Sequence, residues 1–393
     1  MYQQALDKPP LFPIPLENKN QQKEAAPPKS ALPLISPLTE RAKGDLQPKP
    51  YRILKNIVSI DSCIHRNAAI DQNNVLWTWG AISCGKIPNG SYSYDAPQEV
   101  CYTPQVAMKD VLSASVGAWH YMCITKDLKL WGWGENINGE LGLGDYEDRK
   151  EPTFIMDDAR SVFLGDGSTY IVKTDNSLWH CGYTGNELSN EDTKRICTPA
   201  CILSDVESVS VSDDTVMVIK TGGGLWGWGG NSSKVLFTHD NQHYIDAPVH
   251  LMNDVKNVSI MTGIGSFAMI VTHNGDLLSV GLSVPGSLVS YPFRQRDKNP
   301  VKIMENVTDV STGTLFSLAL LSDGRLYAFG ENSVGQCGNG KSTYSLRKPQ
   351  LIFENVKEAK AGHYHGMALQ TNGDVWIWGG DYGISMHANT PGH

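Results

Sequence analysis

The chain has 393 residues and 40% hydrophobic content, enough for a large core, and its net charge of −8 with pI near 5.8 excludes a general basic surface for nucleic acid. No run of about 18 apolar residues predicts a membrane span. The start, Met1-Tyr-Gln-Gln-Ala, lacks the basic-then-apolar pattern of an export signal. It reads as cytoplasmic by default, or as secreted or cell-surface if the N-terminus has been trimmed.

Residues 1–49 carry prolines at 9, 10, 13, 15, 27, 28, 33, 37 and 48 among Lys, Gln, Asn and Glu. Such a stretch buries too little apolar area to offset its ordering entropy, so an extended or disordered tail is expected. Pro27-Pro28 and Pro33-x-x-x-Pro37 suit an aromatic groove, although a spacer is the plainer reading.

From Pro50 to His393 the chain is read as one domain with a regular grammar. Units open with Pro-x-x-aliphatic, as at Pro50…Ile53, Pro152…Ile155 and Pro349…Ile352, where a proline fits an edge strand. A short Val-rich strand such as Val206-Glu-Ser-Val209 follows, then a glycine turn at Gly117, Gly165, Gly313 or Gly362, with Cys63 and Ser212 in equivalent places. A compact strand such as Leu318-Ala-Leu320 leads into an Asp-Gly or Asn-Gly type turn, a strong hairpin signal. Each unit ends on Trp-x-Trp-Gly, whole at Trp77–Gly80, Trp131–Gly134, Trp226–Gly229 and Trp376–Gly379 and degenerate in three further copies. The closing glycines at 80, 134, 182, 229, 281, 330 and 379 give steps of 54, 48, 47, 52, 49 and 49 residues. A fixed period near 50 with four short strands and almost no helix signal predicts an all-β, seven-bladed β-propeller of four-stranded antiparallel blades. Both faces of each blade read apolar, so Trp131 and Trp133 are expected to be wedged between blades. Whether the first and last blades share a strand is left open, as are the oligomeric state and the partner's identity.

The strings Leu130-Trp-Gly-Trp-Gly-Glu-Asn-Ile-Asn-Gly-Glu-Leu-Gly-Leu-Gly144 and Leu326-Tyr-Ala-Phe-Gly-Glu-Asn-Ser-Val-Gly-Gln-Cys-Gly-Asn-Gly340 resemble the regulator-of-chromosome-condensation repeat, and the resemblance extends over residues 50 to about 380. The compact period resembles bacterial members. The family implies varied roles. Its eponymous members exchange nucleotide on the Ran GTPase and bind chromatin using a wedge inserted in one blade; here no step exceeds 54 residues. The plant ultraviolet-B photoreceptor uses Gly-Trp-Arg-His-Thr turns, and the nearest string is Gly117-Ala-Trp-His-Tyr121, without the arginine. A propeller-type β-lactamase inhibitor resembles this chain in repeat length and presents one end of its ring.

His120, His363 and His365 suggest general bases or metal ligands, but His120 and His365 recur at the Gly-x-x-His slot, which favours a strand-start hydrogen bond. His239 and His243 fall in an irregular loop rather than on the helix that an i, i+4 metal pair needs. Of the eight cysteines, Cys123, Cys181, Cys337 and Cys63 replace small core or turn residues. Cys84/Cys101 and Cys197/Cys201 would pair only in an exported protein. No enzyme, metal or cofactor is expected.

The function expected is therefore non-catalytic protein–protein interaction through one rim of the propeller. The alternative is a small-molecule or glycan-binding propeller, or an unrecognised enzyme, using the axial channel. The candidate partner-binding residues are those free of the core pattern in the Gly-x-x turns, which a ring gathers on one rim: His65, Trp119, Asp166, Asp213, Asp214, His363 and Tyr364. Trp119 and Tyr364 supply rigid aromatic area and the aspartates an acidic arc suited to a basic partner.

Overall fold

A computed structural model describes residues 47–64, 66–86, 92–183, 185, 195–238, 242–262, 266–281 and 299–380. The tail expected at 1–49 lies outside the described residues up to 46, while Gln47 already begins a strand. Among the described residues twenty-eight strands, β1 to β28 in chain order, make seven four-stranded antiparallel sheets. Blades 1 to 6 take residues 57–108, 111–156, 159–203, 206–252, 255–304 and 307–353. In blade 7, β26 (Val356–Ala361), β27 (His365–Gln370) and β28 (Val375–Gly379) are completed by β1 (Gln47–Leu54), with Tyr51 facing Ile377 and Leu54 facing Val375. The first strand of the chain thus completes the last blade, which closes the ring.

This pairing corrects the reading of the repeat. The Pro-x-x-aliphatic strand is the outermost strand of the preceding blade, so the sequence unit and the blade are offset by one strand. Pro104, Pro152, Pro199, Pro248 and Pro349 lie within such outer strands, as Pro50 does in β1. A proline there removes a donor from an edge that would otherwise template another chain.

The core is divided among the seams. Seven apolar clusters each join two consecutive blades: Ile57, Ile60 and Trp79 of blade 1 meet Met367, Leu369 and Ile377 of blade 7, for example. The second strand of each blade is almost wholly buried, as in Phe316–Leu321, which explains its unbroken apolar reading. Trp131 and Trp133 pack into the seam with blade 1 but are half-buried; Trp133 stacks on Tyr121 at 5.3 Å and Trp131 meets Phe154 edge-on at 5.7 Å.

One rim is a closed backbone circuit. The N–H that opens each blade donates to a turn carbonyl of the blade before, as in Val111 to Asn74 (2.9 Å), Val206 to Asn176 (2.9 Å) and, across the closure, Ile57 to Gly373 (3.0 Å). The residue just before each blade is left-handed and always Asn or Asp: Asn56, Asp110, Asp158, Asp205, Asp254, Asn306 and Asn355, with φ from 58° to 66°. These residues tolerate that conformation better than others with a Cβ.

Candidate functional site

Antiparallel topology places the first and third connections of every blade on the opposite rim. The first is the Gly-x-x turn, in which Gly117, Gly165, Gly313 and Gly362 donate to the carbonyls of His120, Ser168, Phe316 and His365, each at 2.9 Å. The closing glycine of Trp-x-Trp-Gly passes directly beneath it. A Cβ on Gly182 would come within 2.4 Å of the Gly167 carbonyl oxygen, and one on Gly379 within 2.5 Å of that of Tyr364. The motif glycine is thus required by close approach, and its φ is positive in all seven copies.

The third connections are loops of differing sequence. Those of blades 2, 4 and 6 are pinned by the fully buried Asn136, Asn231 and Asn332, whose Oδ1 atoms accept the N–H of Leu141 (2.8 Å), Leu236 (3.0 Å) and Cys337 (2.9 Å). The blade 3 and blade 5 loops lie mostly outside the described residues, as do His65 and His239.

The expected site residues are distributed around this rim. Asp166 lies near Cys63, whose thiol is pushed up to about 12 by burial, Asp166 and Asp61. Asp213 is exposed and accepts the Thr262 hydroxyl at 2.6 Å. Asp214 helps raise Tyr244, held at about 12 mainly by burial, whose hydroxyl donates to the Gly185 carbonyl at 2.6 Å. His363 and Tyr364 are half-buried with ring centroids 4.3 Å apart. Trp119, expected to stand clear of the core, is 8% exposed and packs with Ala118 and Ile64 in a small cluster beneath the rim.

Arg66 was absent from the expected set. It fills the slot three residues after Cys63, is fully buried, donates through Nη1 to the Ala118 carbonyl and lies 5.7 Å from the Tyr121 ring. Its slot was the signal, since that position carries cross-blade fasteners elsewhere. His120 Nε2 is 2.8 Å from Thr169 Oγ1, and that hydroxyl donates to the Glu140 carbonyl at 2.8 Å. The hydroxyl must therefore accept from His120, which fixes the Nε2–H tautomer. Burial, with Arg66 nearby, depresses His120 to about 3, so it is neutral near pH 7. His365 Nε2 likewise reaches Ser62 Oγ at 2.8 Å and Asn67 Oδ1 at 3.1 Å.

The other candidate, the axial channel, is bounded by the first strands of the blades. Lys360 Nζ lies 4.0 Å from Asp61 and 3.9 Å from Glu358. Burial would lower its ammonium, but Asp61, Glu358 and Asp309 together hold it above its ordinary value. Burial raises Asp61 and Glu358 despite that lysine. Each carboxylate also pins a backbone N–H: Val116 on Asp61 (2.8 Å), Ile60 on Glu358 (3.2 Å) and Val310 on Asp309 (2.9 Å). Among the described residues no group of three or more His, Cys, Asp or Glu side chains is placed to hold a metal, and no helix is long and apolar enough to cross a membrane.

Seven four-stranded blades, a glycine-floored turn rim and a closing sheet completed by β1 define a seven-bladed β-propeller, parts of which match the regulator-of-chromosome-condensation repeat. The pattern of the Regulator of chromosome condensation (RCC1) repeat matches residues 129–172 and 323–369, and a second pattern of that repeat matches 307–336. Among relatives, the ultraviolet-B receptor UVR8 of Arabidopsis thaliana is 24% identical over 306 residues, 73% of this chain and 68% of that protein. The E3 ubiquitin-protein ligase HERC2 of Homo sapiens is 26% identical over 138 residues, 33% of this chain but only 3% of the ligase. Human WBSCR16 superposes with a TM-score of 0.68 at 17% identity, over 84% of this chain and 88% of that one. Prp20p of Saccharomyces cerevisiae, described with its binding properties to Gsp1p and histones, gives 0.62 at 16% identity, over 82% of each.

Proposed function

We propose that this chain is a non-catalytic module that binds a protein partner through the rim bearing the Gly-x-x turns and the variable loops. The difference between the two rims carries this reading. One is a repeating circuit whose backbone groups bond blade to blade, while the other varies in sequence from blade to blade and presents Asp166, Asp213, Asp214, His363 and Tyr364. Tyr364 offers an aromatic anchor of the kind interface hot spots contain, and the aspartates favour a basic partner by steering. That Prp20p is described with binding to Gsp1p and histones supports a protein-binding role for the architecture. The channel reading is weaker, because the channel carboxylates already fasten neighbouring strands.

Quantitative capture of partners on immobilised variants tests the proposal. Tyr364→Ala and the pair Asp213→Asn/Asp214→Asn should each reduce capture at least tenfold without shifting the melting temperature, whereas Asp127→Ala on the other rim should leave it unchanged. Trp119→Ala should instead lower stability, by about 3–5 kcal/mol, because the ring is buried. Unchanged capture by both rim variants, with loss in the Asp127 variant, would reverse the assignment of faces.

A further inference from the structure

Two cysteines of blade 3 lie opposite each other on neighbouring strands. β12 (Leu178–Tyr183) and β13 (Arg195–Leu203) run antiparallel, with Tyr183 opposite Arg195 and Gly182 opposite Ile196. The next step of that register sets Cys181 against Cys197, at the point where β13 bulges before Ala200 meets His180. Directly opposed residues on antiparallel strands have Cα atoms about 4.5–5.5 Å apart, inside the ~4.4–6.8 Å that a disulfide spans. Both cysteines are free thiols. Cys201 is no alternative partner for Cys197. It lies four residues along the same strand, about 13 Å away on an extended chain, and its thiol meets the Leu203 carbonyl instead. The Cys197/Cys201 pairing considered from the sequence is therefore excluded.

Packing puts both side chains on one face of the blade. The blade 2 loop turns at Gly139 and Gly142, and the Gly142 N–H donates to the Gly139 carbonyl at 2.9 Å. A Cβ on Gly139 would come within 2.9 Å of Cys197 Cβ, and one on Gly142 within 3.0 Å of Cys181 Sγ. One short turn thus covers both residues, and the Gly144 N–H fastens it to the Cys197 carbonyl at 2.7 Å. In the dithiol form each sulfur is engaged elsewhere. Cys181 Sγ donates to the Glu140 carbonyl at 3.4 Å, and Cys197 shares a hydrogen bond with the Tyr146 hydroxyl that raises the tyrosine's pKa. Rotation of each side chain about its Cα–Cβ bond exchanges these contacts for a bond between the sulfurs.

We infer that Cys181 and Cys197 form an oxidisable dithiol site, which reacts with a small disulfide of the glutathione class and closes into a cross-strand bond. Cys197 is partly exposed and Cys181 fully buried, so Cys197 enters first. Its thiolate attacks one sulfur of the small disulfide, forming a mixed disulfide and expelling one thiolate. The Cys181 thiolate then attacks Cys197 Sγ and expels the second. The two cysteine protons end on the two released thiols, and the small disulfide takes up the two electrons that the cysteines give. Burial, then Glu140 and Cys197, push the Cys181 thiol up, so the second step is the slow one and quickens with base. The closed bond staples β12 to β13 and does not depend on the proposed rim site.

The test uses the full chain, equilibrated with oxidised and reduced glutathione, acid-quenched, alkylated and mapped by mass spectrometry. A product two hydrogens lighter is expected, with Cys181 and Cys197 in one linked pair of peptides. Closure should run at least about tenfold faster at pH 9 than at pH 7. Cys181→Ala should stop at a glutathione adduct on Cys197, Cys197→Ala should leave residue 181 reduced, and Cys201→Ser should close as the parent does. Mapping of the parent decides the matter even where a variant fails to fold. A lasting adduct on Cys197 with Cys181 reduced, a link from either cysteine to any other, or oxidation of Cys181 only in urea would each overturn the inference.

Discussion

Glu140 stands where blade 6 carries Gln336, and the two side chains do the same work. Glu140 Oε2 accepts the Asn138 N–H at 2.7 Å, and Gln336 Oε1 accepts that of Val334 at 3.0 Å. The carboxyl, however, is fully buried, and burial lifts it to about 7. Its folded pKa exceeds the unfolded value near 4.5, so the folded state holds the proton more tightly, and stability falls as pH rises from about 4.5 through 7. Glu140→Gln should match the parent at pH 4.5 and exceed it at pH 8 by roughly 3 kcal/mol in urea unfolding, at about 1.4 kcal/mol per unit. Equal stability at pH 8 would show the carboxyl to be relieved by a contact the glutamine lacks. At this scale the sequence was partly legible. The recurrence of His120 and His365 at one slot signalled fastening, and both make cross-blade bonds. Arg66 escaped because its acceptor is a carbonyl 52 residues away, and Trp119 was misjudged because Ile64, which helps to bury it, comes from another blade.

Among elements, the turns show what a repeat reveals and what it hides. The Asp-Gly and Asn-Gly hairpins were evident from residue type, because positive φ selects those residues. The single Asn or Asp that precedes each of the seven blades is equally regular, but Asn and Asp are common in every kind of turn, so residue type alone does not mark this position. Asn306 has φ of 62°, and its carbonyl accepts the Ser322 N–H at 3.1 Å. Asn306→Ala should cost about 1–2 kcal/mol through the strained backbone, and Asn306→Gly should cost less. Thermal unfolding of the two variants decides this, and an alanine as stable as the glycine would remove the strain argument. The long blade 1 hairpin, Leu76–Lys86 with Tyr92–Met108, was legible only as a step of 54 residues. Past Gly80 its two strands carry only Pro104-x-x-Ala107, a weak copy of the opening signature, so its length alone betrayed it.

For the ring as a whole, the number of blades and the four antiparallel strands of each followed from the period and its turn signals. Which strand belonged to which blade did not, because an uninterrupted repeat has no intrinsic start. Closure made the assignment: β1 supplies blade 7's outer strand, Arg52 meets Asp374 at 2.9 Å, and Ile57 donates to Gly373. The same closure leaves one rim of uniform turns and another of diverse ones, and the proposed function rests on that contrast. Site-specific photo-cross-linking in the native cell tests it most directly. A benzophenone side chain would be placed at Asp213, Leu315 or Tyr364 on one rim, and at Asp127, Asp175 or Asp323 on the other. The account predicts a shared protein adduct from the first three positions and none from the second; adducts confined to the second three would contradict it.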